Sequence, residues 1–480
     1  MGAASAVDGA DTGEPAPGSV SPGAASVVLA AAQLLVVLAT SIVNVALPAI
    51  GRDLRLSAVG LAWVVNAYVL AFGALLLLGG RLGDVFGRRS VFLTGTVVFA
   101  AGSLAAGLAA GPAMLVAARA VQGVAAAMLA PTALGLVLTI FPAGPARGRA
   151  LGLWGAVSGA GGAAGVLLGG VLTEVSGWRS VFLAVVPIAV AVLAAARWCV
   201  PADPADGGRV DLAGALTVTG GLVALSSGLS GVAGRGWAAW PTLGPVLAGL
   251  ALLALFVVLQ HRSHTPLVRP AVLRTGTVAA ANLLMALLGA AWLALFFFLP
   301  LYQQHVLGYD PLAAGLTQLP LAVTITVSSM LAPRLVRWAG VRTVLAVALT
   351  TVAVGLAWLS ATPVPATFLV AIGAPSVLIG AGLGVSFVLL TGLSAAGVPG
   401  ADAGLAGGLI NTSRQIGGGV GLAVLTTVAA VAGSADPRAS ASVLAAGYGA
   451  ALAGAAVFAA VTAVLAPLLL PATPRRKEHP

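Results

Sequence analysis

Residues 80–89, Gly80-Arg81-Leu82-Gly83-Asp84-Val85-Phe86-Gly87-Arg88-Arg89, set four charges and three glycines between two long apolar runs. Charged side chains are expelled from lipid, and irregular backbone is not tolerated in the hydrocarbon layer, so this stretch reads as a water-facing turn between two membrane-spanning helices. Its glycines let the helix ends approach closely.

The rest of the chain has the same character as the flanks of that turn. Hydrophobic residues make up 59% of the 480 positions and charged residues 8%, and the mean hydropathy is +1.07. No soluble domain has this composition. A hydrocarbon core about 30 Å thick requires roughly 20 apolar residues per helix. Apolar runs bounded by charge, Pro or Gly fall at 27–47, 61–79, 91–110, 113–138, 150–172, 178–198, 212–232, 241–260, 276–300, 311–333, 342–361, 365–393, 404–432 and 441–470. The expected fold is therefore an all-α integral membrane protein with 14 transmembrane helices.

Residues 1–25 are rich in Ala, Gly, Ser and Pro and carry no basic residue, so they read as a disordered tail. With the N-terminus inside, sixteen of the 23 Lys and Arg residues fall in inner loops and the C-terminal tail, five in outer loops, and Arg119 and Arg414 within spans. The positive-inside rule then places both termini in the cytoplasm, and the cell membrane is the expected location. The same rule accounts for the +10 net charge without a nucleic-acid partner. A single cysteine, Cys199, excludes an internal disulfide and a Cys-based metal site, and the four histidines fall outside the apolar runs. No metal, no cofactor and no enzyme activity are expected, because no catalytic constellation lies at membrane depth.

The hinge has an internal echo. Residues 333–345 (PRLVRWAGVRTVL) align on 80–92 (GRLGDVFGRRSVF), matching Arg81 with Arg334, Leu82 with Leu335, Gly87 with Gly340 and Arg89 with Arg342. The offset of 253 residues corresponds to eight spans, and it carries the start of span 1 onto the start of span 9. This divides the chain into an N-terminal six-helix bundle (26–200), two inserted helices (201–262), a C-terminal six-helix bundle (263–471) and a tail (472–480). Two bundles around a central cavity are a transporter design. Short Arg-Leu and Gly-x-Arg matches could also arise from positive-inside loops alone.

The hinge resembles the signature loop between helices 2 and 3 of the major facilitator superfamily. In that resemblance Gly80, Asp84, Gly87, Arg88 and Arg89 belong to a charge relay that latches the halves. Taken by itself, Arg89 reads more simply as a topology anchor. Leu115 to Gly123 (LVAARAVQG) is similar to the superfamily's second motif, centred on Arg119 with Gln122 beside it. Arg119 lies roughly 10 Å inside its helix start, where an arginine is a functional candidate unless it snorkels to the surface. Gly165, Gly169 and Gly170 in span 5 resemble the antiporter signature of exporters, although the expected Gly-Pro pair is Gly165-Val166; small-residue packing is the plainer alternative.

Ser41 to Pro48 (SIVNVALP, with Asn44), Trp178 to Phe182 (WRSVF), Leu299 to Gln304 (LPLYQQ) and Asn411 to Gly417 (NTSRQIG, with Arg414 and Gln415) are similar to segments of the fourteen-helix drug/proton antiporter family. Membership implies a secondary active exporter of drugs, antibiotics or other bulky organic compounds, exchanging them for protons by alternating access; separately, the protein is expected to act as a monomer. One departure stands out: where that family carries an aspartate in span 1, this chain has Ala39, and none of its thirteen acidic residues is deep in a span. The cavity then offers Arg119, Arg414 and neutral groups, with Asn66, Tyr68, Trp292, Tyr302 and Gln303 as lining candidates. A neutral or anionic substrate is favoured over a cationic one. An importer on the same fold, or a sensor or scaffold that no longer transports, are the alternatives.

Overall fold

The computed structural model describes residues 22–141, 144–203, 207–263, 266–268, 276–362, 367–396, 403–434 and 439–470. The tail expected over 1–25 lies outside these residues as far as position 21, and so does 472–480. No strand occurs among the described residues. The helices are α1 (Pro22–Leu54), α2 (Ala58–Phe86), α3 (Arg88–Gly107), α4 (Pro112–Ile140) and α5 (Pro145–Ser176). Next come α6, in two pieces (Arg179–Leu183 and Val185–Cys199), α7 (Leu212–Arg235), α8 (Trp240–Arg262) and α9 (Gly276–His305). The last five are α10 (311–339), α11 (341–360), α12 (a π turn Leu369–Gly373 continued by Ala374–Ala395), α13 (Ala403–Ala429, closed by a π turn Ala430–Ser434) and α14 (Ala441–Leu469). Twelve segments are long and apolar enough to cross a membrane. One of them, Pro311–Ser360, holds two helices broken at Gly340, and α5, whose described apolar stretch Gly161–Ser176 is shorter, completes fourteen helices.

Local chemistry sets the helix ends. Proline opens α4, α5 and α10, where its missing N–H costs no hydrogen bond. Ser57, Asp211 and Asp310 cap α2, α7 and α10 by accepting from the N–H of the residue three positions on. The two turns related by the internal repeat share one backbone device. Gly87 has φ 86° and Gly340 has φ 77°, a region costly for any residue with a Cβ, so each glycine breaks the helix at the same point of its half. Arg89 Nη2 donates to the Arg197 carbonyl at the end of α6, and Arg342 Nη2 donates to the Pro467 carbonyl at the end of α14. Related arginines thus bind the closing ends of related helices.

Helices α1–α6 form one bundle and α9–α14 the other. They meet along α2 with α13, α5 with α10 and α1 with α9. On the membrane face away from the hinge, Gly170 lies against the backbone of Pro311 and Leu312, and Gln304 Nε2 donates to the Val45 carbonyl at 2.8 Å. The α2–α13 seam runs through the middle of the molecule, with Gln415 over Gly73 and Leu77 over Gly408. Helices α7 and α8 pack together outside that seam. Val218 and Leu222 of α7 join Leu70 and Ala74 of α2 and Ile416 and Val420 of α13 in one apolar cluster. The inserted pair therefore screens the seam from lipid on one side. Exposed Trp198 and Trp338 on the hinge face, and Trp237 and Trp240 on the other, mark the two interfacial belts where indole rings settle.

Candidate functional site: two arginines at membrane depth

Arg119 does not snorkel; it is 1% exposed. Its Nε donates to the Val64 carbonyl at 3.0 Å, and its Nη1 donates to the Ala39 carbonyl at 3.0 Å and to Gln122 Oε1 at 2.9 Å. Gln122 Nε2 in turn donates to Ser103 Oγ at 2.8 Å. The Tyr68 ring lies beneath the guanidinium, 4.4 Å from centroid to Cζ, and its hydroxyl donates to the Val36 carbonyl at 3.1 Å. One arginine of α4 thereby ties α1, α2 and α3 together. The position at which the resembled family places an acid, Ala39, still meets this arginine, but through its backbone oxygen. A carbonyl dipole replaces a full negative charge, and it cannot be protonated.

Arg414 on α13 is held differently. Nη2 donates to Asn411 Oδ1 at 2.9 Å, one turn back on the same helix, and Nε is buried with no partner among the described residues. Its Cζ stands 5.9 Å from the Trp292 ring on α9 and 5.8 Å from the Phe387 ring on α12. Trp292 also meets Phe296 at 5.9 Å and Phe387 at 6.0 Å. Phe387 is 37% exposed and is flanked by Trp292 of α9 and Arg414 of α13. Arg119 is bonded to α2 through the Val64 carbonyl, and Arg414 stands on α13, which packs against α2. Asn66 and Gln415, both buried in the α2–α13 seam, carry side-chain nitrogens without partners among the described residues.

The hinge forms a third cluster. Arg88 Nη2 pairs with Asp84 Oδ1 at 3.2 Å, and Arg88 Nη1 donates to Thr139 Oγ1 at 2.6 Å, joining the ends of α2 and α4. The pair is 34% and 37% exposed, and solvated pairs of this kind are worth about 0–1 kcal/mol, which keeps the contact breakable. Asp203, beyond α6, accepts from the N–H of Arg88 at 2.8 Å and of Arg89 at 2.9 Å, and so caps α3 from a distant part of the chain.

Tyr68, Arg119 and Gln122 thus come together, and Arg414 joins Trp292. Gly165 and Gly169 face α1, lying against Ser41 and Ile42, while Gly170 faces α10. Gln303 is occupied with Thr317 and Gln318 of α10. Tyr302 is buried on α9 with an unpartnered hydroxyl, and Asn44 is buried on α1. His305, read from the sequence as outside the apolar runs, is the last residue of α9 and bonds Tyr448 at 3.0 Å. Phe387 and Asp203 escaped sequence reasoning. Phe387 is one of thirteen phenylalanines, and nothing local ties Asp203 to a hinge more than a hundred residues earlier. Among the described residues no cluster of His, Cys, Asp and Glu could hold a metal ion.

Two bundles meeting across charged and polar groups at membrane depth define a membrane carrier of the two-fold repeat type. The chain belongs to the Major Facilitator Superfamily, whose model matches residues 29–422. It is 44% identical over 450 residues to the cephamycin export protein of Amycolatopsis lactamdurans, covering 93% of this chain and 92% of that one. It is 39% identical over 456 residues to a puromycin resistance protein of Streptomyces alboniger, covering 92% and 90%. Among solved structures, a bacterial homologue of the lysosomal transporter Spinster, captured inward-facing and unoccupied, superposes with a TM-score of 0.68 at 16% identity, covering 95% and 98%. That likeness concerns the fold alone. The family consists of transporters, not enzymes.

Proposed function

We propose that this protein exports bulky organic compounds, neutral or anionic, across the cell membrane by alternating access, in exchange for protons and as a monomer with both termini cytoplasmic. The observation that carries the reading is the near full-length similarity to the cephamycin export protein. The bundles are the units 26–200 and 263–471, rocking against each other, with 201–262 riding on the α2–α13 seam. The preference for neutral or anionic compounds is supported by Arg119 and Arg414 at membrane depth, where the described helices place no carboxylate. The half-solvated Asp84–Arg88 pair suits a latch that forms and breaks in each cycle.

Net accumulation of labelled cephamycin and puromycin in cells making the protein tests this reading. Lower accumulation than in cells lacking it is expected. Higher accumulation identifies an importer, and equal accumulation of both compounds contradicts export of these classes.

A further inference from the structure

We propose that Arg414, walled by Trp292 and Phe387, is the docking site for the carboxylate of an organic anion whose planar apolar body lies against those rings. The assignment rests on the transport reading above and adds to it the substrate class and the contact that selects it.

The two interior arginines separate the roles. Arg119 spends three hydrogen bonds on Val64, Ala39 and Gln122 and is closed over by Tyr68, so it holds helices together and has little left to offer a ligand. Among the described residues Arg414 makes one hydrogen bond, to a neutral amide of its own helix, and its Nε–H has no partner. A guanidinium carries five N–H donors in a planar fork, and a cation at this depth is costly unless a counter-charge or water meets it. Among the described residues no carboxylate does so; the hydrogen bonds and ion pairs of Asp53, Asp84, Asp203, Asp211 and Asp310 are made at helix ends. A carboxylate matches the fork in geometry and charge.

The surroundings define the rest of the ligand. Trp292 and Phe387 stand 6.0 Å apart at 51°, and Phe296 meets Trp292 at 5.9 Å. Such rings accept a flat apolar body and exclude water from the ion pair, which strengthens it. Trp292 and Arg414 are each partly exposed and Phe387 more so, while Arg414 Nε itself is buried. A lipophilic cation meets uncompensated positive charge at Arg414 and is disfavoured there.

The test uses the full chain purified into phosphatidylcholine nanodiscs, with empty nanodiscs subtracted. Three probes share one ring and differ in charge: 2-naphthoate, 2-naphthamide and trimethyl(2-naphthyl)ammonium. Equilibrium binding should favour the carboxylate over the amide by about tenfold or more, and the ammonium should bind more weakly than both. Arg414→Gln should abolish the carboxylate-to-amide ratio while leaving amide affinity within about twofold. Arg414→Lys, which keeps the charge but loses the fork, should give a ratio between the two, and it serves if the Gln variant does not fold. A wild-type protein that does not prefer the carboxylate overturns the proposal. So does an Arg414 variant that lowers both affinities equally or leaves the ratio unchanged. Binding does not require turnover, so failure of export leaves this ratio intact, and failure of the anion site leaves export of neutral compounds intact.

Discussion

Gly169→Ala tests the α1–α5 contact that underlies the N-terminal bundle. Helices α1 and α5 run parallel, with Gly161 against Leu34 and Val37, Gly165 against Leu38 and Ser41, and Gly169 against Ile42. A methyl at position 169 would stand 2.5 Å from the Ile42 carbonyl oxygen and 3.2 Å from its carbon. Even a close carbon–oxygen contact needs about 3.3 Å, so the helices must part by about 0.8 Å, and backbone atoms cannot rotate aside. Overpacking of this kind costs about 1–3 kcal/mol. Gly162→Ala is the control, because nothing lies within 4 Å of its added methyl, and it gains about 1 kcal/mol of helix propensity. Both variants alter the same helix by the same atoms, so their difference isolates the contact. Thermal unfolding in nanodiscs should place Gly169→Ala several degrees below Gly162→Ala, with transport slowed only in the former. Coincident melting of the two variants refutes the packing argument.

Further expectations concern the hinge and the locked arginine. Asp203→Ala removes the acceptor of two α3 amides, a cap worth about 0.5–2 kcal/mol, and hydrogen exchange at 88–92 should accelerate while exchange at the start of α4 stays unchanged. Gly87→Ala and Gly340→Ala each force a Cβ into positive-φ backbone at about 1–3 kcal/mol, so both should lower the melting temperature, Gly87→Ala the more because its methyl also meets the Asp203 carbonyl at 3.3 Å; a variant at either position with unchanged melting contradicts the shared turn. Arg119→Ala should lower the melting temperature and abolish transport of neutral and anionic compounds alike, since it unties α4 from α1 and α2. Unchanged transport removes Arg119 from the mechanism.

The fold was legible because a membrane enforces it. Long apolar runs admit only helices, and the charged hinge with its echo at Gly340 marks both turns. The neighbourhood of Arg119 was also legible, since Gln122 follows one turn later and an arginine amid apolar residues demands partners. What the sequence could not reveal was which partners. That Ala39 meets Arg119 with its carbonyl, or that Asp203 caps α3, depends on helix register across more than eighty residues, and hydrophobic patterning carries no such register in a chain apolar on most faces. The contrast between a saturated Arg119 and an unsaturated Arg414 is likewise a property of packing. In sequence both are single arginines within apolar spans.

The most direct test of the account is solute movement in everted membrane vesicles with an imposed pH gradient. Concentrative uptake of labelled cephamycin, driven by an acid lumen and abolished by an uncoupler, is the predicted result. No uptake in everted vesicles, or concentrative uptake only in right-side-out vesicles, contradicts an exporter that exchanges its cargo for protons.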